Sequence, residues 1–130
     1  MELPVATQKR IEAVDITHAV QEACKKWGGT GAVLVYCPHT TAAVTINEHA
    51  DPDVMRDVLA TLAEAAPANG PYSHAEGNAD AHVKSVLTGN QAVVPVRGGN
   101  LLLGRWQGVF FLEFDGPRHR TLWVHFLAGE

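Results

Sequence analysis

The stretch Gly31–Glu48 reads GAVLVYCPHTTAAVTINE and contains two short apolar runs on either side of a proline. Residues 31–37 and 42–46 are rich in β-branched and small apolar side chains, which favours two buried strands. Pro38 ends the first strand because it has no backbone N–H to give to a sheet. His39 follows at this break, a position from which a side chain commonly faces a cleft.

Working outward from these strands, the sequence predicts three helices. They are residues 16–27, a helix that begins at Pro52 and ends near Pro67, and residues 79–88. Asp15, Asp51 and Asn78 stand where a side chain caps a helix N-terminus, and Gly28 and Gly89 stand where a helix commonly ends.

The remaining segments read as strands. They are residues 5–14, 91–96, 101–103, 107–115 and 120–127. Because strands outnumber helices and the last elements look like hairpins, we expect an antiparallel α+β fold. The length fits one domain that spans residues 1–130.

Composition limits the classes of function. Ten Lys and Arg against 14 Asp and Glu give a formal charge of −4, so no nucleic-acid partner is expected. The apolar runs are far shorter than the about 20 residues of a membrane-spanning helix, and no secretory signal is recognisable, which favours a cytoplasmic protein without a membrane contact. Seven histidines against two cysteines point to metal binding or proton transfer by imidazole.

One polar segment follows the strand over residues 42–46. Asn47, Glu48 and Asp51 lie directly before the N-terminus of the second helix, which attracts anions. Capping is a sufficient alternative explanation for Asp51, and a purely structural role is a weaker alternative for Asn47 and Glu48. All three are candidate catalytic residues.

A second polar segment contains His74, Glu76, Asn78 and His82. If the chain turns into the helix at Asn78, the two histidines and Asn78 converge, with Glu76 nearby. Imidazole and carboxylate groups are familiar ligands of divalent metals, zinc above all. With His39 as the third histidine, the sequence predicts a metal site of His39, His74 and His82. The spacing differs from that of zinc proteases, so their mechanism is not transferred.

Arg118 follows a turn near the C-terminus and is a candidate phosphate contact, because a guanidinium suits bidentate binding of phosphate. An exposed salt pair is the alternative reading. The histidines at positions 18, 49, 119 and 125 have adequate structural explanations in a helix, a loop, a turn and a strand.

Four motifs in order along the chain resemble the YjbQ-like family. They are His39-Thr40-Thr41-Ala42 with Asn47-Glu48, the block from Tyr72 to His82, Gly104-x-Trp106-Gln107, and Glu113-x-Asp115-Gly116-Pro117-Arg118. The resemblance implies a compact α+β fold around a β-sandwich-like core, a homotrimer, and a pocket lined by the shared polar residues. The family is also called a secondary thiamine-phosphate synthase, because members can support that activity.

The resemblance therefore implies an enzyme that joins pyrimidine methyl diphosphate to thiazole phosphate and releases pyrophosphate. With the metal site predicted above, the chain would be a metal-dependent enzyme for a small phosphorylated metabolite, and chemistry suggests the roles of its residues. A divalent metal, zinc or magnesium, and Arg118 would neutralise the departing diphosphate. Glu48 or Glu76 would bind the metal or stabilise a developing cation, and Asn47 and Asn78 would orient the substrate. Two alternatives stay open: a metal-assisted hydrolase of an unidentified metabolite, and a binding or structural trimer without catalysis.

Overall fold

The computed structural model describes residues 1–129, which form three helices and eight strands. The strands are β1 (Glu2–Ala6), β2 (Glu12–Asp15), β3 (Gly31–Tyr36), β4 (Ala42–Glu48), β5 (Gln91–Arg97), β6 (Asn100–Leu101), β7 (Gln107–Glu113) and β8 (His119–Ala128). The helices are α1 (Thr17–Trp27), α2 (Pro52–Ala65) and α3 (Ala79–Thr88). Within these residues, every helix lacks the length and apolarity that a membrane crossing requires.

The strands form two antiparallel sheets, which confirms the predicted α+β class. The larger sheet has the order β1-β8-β3-β5-β6 and the smaller sheet has the order β2-β7-β4. Because successive side chains of a strand point to opposite faces, every second residue of each strand enters the space between the sheets. The buried residues there include Val33, Val35, Val94, Leu122 and Val124 from the larger sheet and Val44, Val109 and Phe111 from the smaller sheet.

The middle strand of the smaller sheet, β7, is covered on both faces. Val109 and Phe111 point towards the larger sheet, whereas Phe110 and Leu112 pack in a second apolar cluster with Met55 of α2. An uninterrupted apolar run is the expected pattern for a strand that is buried on both sides. The smaller sheet is therefore the middle layer of the fold, between the larger sheet and the helices α2 and α3.

The N-terminal segment departs from the predicted single strand over residues 5–14. β1 pairs with β8 in the larger sheet, and β2 pairs with β7 in the smaller sheet. Between them, the Glu12 carboxylate accepts hydrogen bonds from the backbone N–H groups of Gln8 and Lys9, at 2.6 and 2.8 Å. This turn lets the chain pass from one sheet to the other.

Of the three predicted helix caps, one is confirmed. Asp51 accepts a hydrogen bond from the backbone N–H of Asp53 at 2.9 Å. Asp15 accepts from the N–H of Thr17 at 3.0 Å, but it lies one residue before the N-cap position of α1. Asn78 occupies the N-cap position of α3 and makes no capping bond with its side chain.

A buried ion cluster fastens α3 to the N-terminal segment. Asp80, which is fully buried, accepts a hydrogen bond from Lys84 Nζ at 2.7 Å and from both terminal nitrogens of Arg10, at 3.0 and 3.3 Å. Burial raises the pKa of Asp80, but the hydrogen bonds from Arg10 and Lys84 outweigh it and hold the pKa below its ordinary value. The cluster therefore requires an ionised Asp80.

We expect Asp80→Asn to lower the free energy of unfolding by about 3 kcal/mol at pH 7, since the buried Lys84 cation loses its counter-charge. Folding lowers the pKa of Asp80, so its stabilising contribution is complete above the ordinary pKa of 3.8 and is lost as the pH falls through the folded-state pKa. Urea unfolding at pH 7 and at about pH 3 measures both effects.

The matched control is Asp53→Asn, which removes one partner of the exposed pair with Arg56. This change is expected to alter the free energy of unfolding by about 0.5 kcal/mol or less. An equal effect of the two substitutions at pH 7 would contradict the role given to Asp80.

Candidate functional site

A cavity of about 350 Å³ collects polar side chains from three separate segments of the chain, and we call it the histidine cavity. It is lined by Pro38, His39, Thr40 and Thr41 between β3 and β4, by Glu76, Asn78 and His82 in and before α3, and by Asp115, Arg118 and Arg120 around the β7–β8 turn. Five of the predicted site residues are among them: His39, Glu76, Asn78, His82 and Arg118.

The ring of His39 completes the end of the larger sheet. Its Nε2 lies 3.0 Å from both the backbone N and the backbone O of Thr121. Continued from the pair Tyr36 and Trp123, the β3–β8 register would place Pro38 opposite Thr121. Because Pro38 has no N–H, the imidazole takes the place of the missing backbone partner. The other ring nitrogen, Nδ1, bonds nothing within residues 1–129.

His39 is a neutral imidazole at neutral pH. Burial of the ring, followed by the charge of Arg120, lowers the pKa of His39 below its ordinary value, against a smaller opposing effect of Thr121 and Glu113. A neutral ring can accept a proton or bind a metal ion through its free nitrogen.

Beneath the cavity lies the carboxylate of Glu113, which is fully buried. Arg120 donates to it through Nε at 2.8 Å and through Nη2 in a second close contact, and Nη2 also donates to Thr41 Oγ1 at 2.9 Å. Thr7 Oγ1 donates to the same carboxylate at 2.9 Å. Burial raises the pKa of Glu113, but these hydrogen bonds outweigh it, and the group stays ionised. The motifs indicated neither Arg120 nor this use of Glu113.

Asn78 links the two sides of the cavity. Its Nδ2 donates to Asp115 Oδ2 at 2.9 Å, and its Oδ1 lies 3.1 Å from His74 Nε2. Arg118 donates to the same Asp115 oxygen through Nη2 at 3.0 Å and to the Asp115 carbonyl through Nε at 2.7 Å. The Asn78 side chain is thus engaged across the cavity, which explains why it does not cap α3.

His74 and His82 lie next to each other, with ring centroids 5.1 Å apart in an edge-to-face arrangement. His82 lines the histidine cavity, whereas His74 faces a neighbouring cavity of about 390 Å³ that His82 also lines. These imidazoles and the nearby Glu76 are donors of the type that zinc prefers. In the part of the chain that the structure describes, no three His, Cys, Asp or Glu side chains are grouped as a metal site. The metal site of His39, His74 and His82 stays a prediction.

The other predicted catalytic residues lie at the far end of β4, about 20 Å along this seven-residue strand. Glu48 and Asp51 line a separate cavity of about 430 Å³, together with Asp15 and His49. Asn47 stands next to them and accepts a hydrogen bond from the N–H of Glu48 at 2.7 Å. Within a single chain, the predicted catalytic residues therefore lie at two separate cavities.

Asp15 and His49, which are 34 residues apart, form a pair that no sequence pattern indicated. His49 Nδ1 lies 3.0 Å from Asp15 Oδ2, and a Cβ at Gly108 would stand only 2.5 Å from this nitrogen. Glycine at position 108 thus makes room for the ring. Burial raises the pKa of Asp15, but hydrogen bonds from Thr17 and His49 lower it below its ordinary value.

Comparison with known proteins identifies the family. A sequence model described as UPF0047 protein YjbQ-like matches residues 1–129. The chain belongs to the YjbQ family. It is 48% identical over 128 residues to the UPF0047 protein YugU of Bacillus subtilis, and the match covers 97% of each chain. The relationship that the four motifs indicated is confirmed.

Solved structures of similar proteins have the same fold. A conserved YjbQ/UPF0047 protein from Clostridium acetobutylicum gives a TM-score of 0.95 at 44% identity and covers 98% of this chain and 99% of its own. The conserved hypothetical protein TT1486 from Thermus thermophilus gives a TM-score of 0.92 at 47% identity, with the same coverage of 98% and 99%.

For this YjbQ-family chain, we expect Asn78→Ala to raise the pKa of Asp115, because the ionised carboxylate loses the hydrogen bond from Asn78. Burial raises this pKa in the native chain, and the bonds from Asn78 and Arg118 lower it further than burial raises it. The ¹³C shift of the Asp115 carboxyl in an NMR pH titration measures the change. Asn47→Ala, at the far end of β4, is the control, and a pKa of Asp115 that stays unchanged in Asn78→Ala would refute the link.

Proposed function

We propose that the histidine cavity is the active site of an enzyme that acts on a small phosphorylated metabolite. The main support is that imidazole, carboxylate and guanidinium groups from three distant segments meet in this one cavity. The neutral ring of His39 and the ring of His82 can exchange protons, and Arg118 and Arg120 can neutralise anionic oxygens. Cationic donors stabilise the charge that develops on a departing phosphate group, and an imidazole can transfer protons to or from the reacting groups.

Formation of thiamine phosphate is the reaction that we favour, because the family resemblance implies it. The thiazole nitrogen would attack the methylene carbon of pyrimidine methyl diphosphate, and the C–O bond to the diphosphate would break. Pyrophosphate leaves with the bonding electron pair, and the thiazolium product carries the positive charge. Arg118 and Arg120 donate hydrogen bonds to the departing diphosphate, while Asn78 and Asp115 hold Arg118 in place.

A divalent metal ion, zinc or magnesium, is part of this proposal. His82 with His74 or His39, together with Glu76, would supply its ligands from this chain. The ion would neutralise further charge on the diphosphate. Since one chain brings only two imidazoles side by side, the remaining ligands would come from substrate, water or a neighbouring subunit.

A metal-assisted hydrolase is the second candidate. The two ring nitrogens of His82 bond nothing within residues 1–129, and a free imidazole beside arginines is suited to activate water for attack on a phosphate ester. Thiamine phosphate formation would then be a slow side reaction, and the purified protein would hold zinc tightly.

Purified protein supplied with both thiamine precursors and Mg²⁺ is expected to form thiamine phosphate and release pyrophosphate. His82→Ala and Arg118→Ala are each expected to lower kcat/KM at least about tenfold, because each removes a group that faces the cavity. His18→Ala is the control, since His18 lines a different cavity, next to α1. Equal rates of the native protein and both cavity variants would refute this site. Zinc-dependent hydrolysis of phosphate esters with a low kcat/KM on the thiamine precursors would favour the hydrolase.

We further propose that the chain forms a homotrimer through the outer face of the larger sheet. This face carries Leu34, Tyr36, Val93, Trp123 and Leu127. Trp123 is 45% exposed and Leu127 is 50% exposed. Tyr36 and Trp123 stack with ring centroids 5.8 Å apart. Contiguous exposed apolar area of this kind is typical of a subunit interface.

Light scattering is expected to give a mass of about three chains for the native protein, as in a closed cyclic assembly. Trp123→Arg is expected to yield monomers, because it places a charge in the middle of the apolar face. Trp106→Arg is the matched control, since Trp106 is similarly exposed but lies before β7, outside the larger sheet. A monomeric native protein or a trimeric Trp123→Arg variant would refute the interface.

A further inference from the structure

We infer that Arg120 forms the floor of an anion subsite in the histidine cavity, and that the group bound there is a phosphate. The inference deepens the proposed function and rests on it, because it names the residue that recognises the charged end of the substrate. None of the sequence motifs assigned a role to Arg120.

The decisive feature is a buried guanidinium that keeps one donor group free. Arg120 is only 6% exposed, and its Nε and Nη2 are bound to Glu113 and Thr41. Its Nη1 donates no hydrogen bond within residues 1–129, yet this atom is not sealed from solvent. Arg120 lines the histidine cavity, and Nη1 is its nitrogen without a partner among the described residues, so we infer that Nη1 faces the cavity. Buried N–H donors in proteins almost always have a hydrogen-bond acceptor, and a bound ligand would supply one for Nη1.

The surrounding contacts hold this donor in a fixed orientation. Glu113 binds two nitrogens of the planar guanidinium and Thr41 binds one of them, so the plane cannot rotate freely. A ligand that binds Nη1 therefore does not have to order a flexible side chain, which lowers the entropic cost of binding.

Two further donors line the same cavity. Arg118 uses Nε and Nη2 on Asp115, and its Nη1 bonds nothing in the described residues. The Thr40 side chain is exposed at the mouth of the cavity. A tetrahedral phosphate presents oxygens in several directions and can accept from donors on different walls, whereas a carboxylate offers only two oxygens in one plane.

The nearby carboxylates do not prevent an anion from binding. Glu113 and Asp115 are each held by fixed donors, and the side chain of Glu76 is 77% exposed at the rim. The charge of Arg120 lowers the pKa of His39, so its field still reaches the cavity wall although Glu113 is its partner. Directed N–H groups, rather than a large positive charge, would hold the phosphate.

Inorganic phosphate is the probe for this subsite. In the ¹⁵N-labelled native protein, we expect saturable shifts of the Arg120 and Arg118 Nε–Hε NMR signals with one common Kd. Sodium acetate and sodium chloride at equal ionic strength are expected to leave both signals unshifted. Phosphate is expected to leave the Nε–Hε signal of the exposed Arg56 unshifted. Absence of a saturable shift at Arg120, or an equal response to acetate, overturns the inference.

Two variants test the same point. Arg120→Lys keeps the charge but removes the planar fork, and it is expected to weaken phosphate binding at least about tenfold. Thr41→Val keeps Arg120 and its pair with Glu113 but loosens the guanidinium, and it is expected to weaken binding about threefold. Arg105→Lys is the control at an exposed arginine. Unchanged affinity in both cavity variants overturns the inference.

The binding assay and the enzyme assay can fail separately. Phosphate binding at Arg120 without formation of thiamine phosphate supports the subsite and counts against the proposed reaction. Formation of thiamine phosphate by a protein that shows no phosphate shift at Arg120 supports the reaction and overturns the subsite.

Discussion

The buried ion pair of Glu113 and Arg120 is the interaction on which the candidate site depends. Glu113 ends β7 of the smaller sheet, and Arg120 lies in β8 of the larger sheet, so the pair ties the two sheets together. Thr7 and Thr41 add hydrogen bonds from two further segments. Without its partner, either charge would be buried and uncompensated, which is strongly unfavourable. The chain segments around this end of the sandwich are therefore fixed relative to one another.

The histidine cavity lies where regular pairing of the larger sheet stops. β3 ends at Tyr36, and the ring of His39 meets the backbone of Thr121 that a longer β3 would have paired. Past this point the β3–β4 link, the start of α3 and the β7–β8 turn all contribute polar side chains. The same residue thus completes the sheet with one ring nitrogen and lines the cavity, so under the proposed function His39 would combine a structural and a functional role.

Local features of the fold could be predicted from the sequence, and non-local features could not. The helix α2 and the strand β3 follow from a capping residue, turn residues and side-chain periodicity within a few positions. The division of residues 5–14 between two sheets depends on pairing with β7 and β8, about a hundred residues away. Asp15 and His49 meet only after β2 and β4 have both paired with β7.

The candidate site was predictable in part for the same reason. His74, Asn78 and His82 lie within one turn-and-helix segment, so their proximity follows from their spacing. That Asn78 and His82 line the same cavity as His39 does not follow from spacing. A signal for Arg120 was present, because it lies in phase with Leu122 and Val124 on the inward face of β8. A charged residue in step with core residues indicates a buried charge that needs a partner.

The buried ion clusters around Asp80 and around Glu113 differ in whether a buried cation keeps an N–H donor without a partner among the described residues. Asp80 accepts hydrogen bonds from Lys84 and from Arg10 away from the histidine cavity, and such a cluster serves to fasten α3. A buried ion pair contributes little net stability compared with well-packed apolar residues, so stability alone does not account for the pair of Arg120 and Glu113. Arg120 is held like a structural residue, but it lines a cavity and keeps one nitrogen without a partner among the described residues. In a chain of net charge −4, where the overall field repels anions, a phosphate would require such fixed donors close at hand.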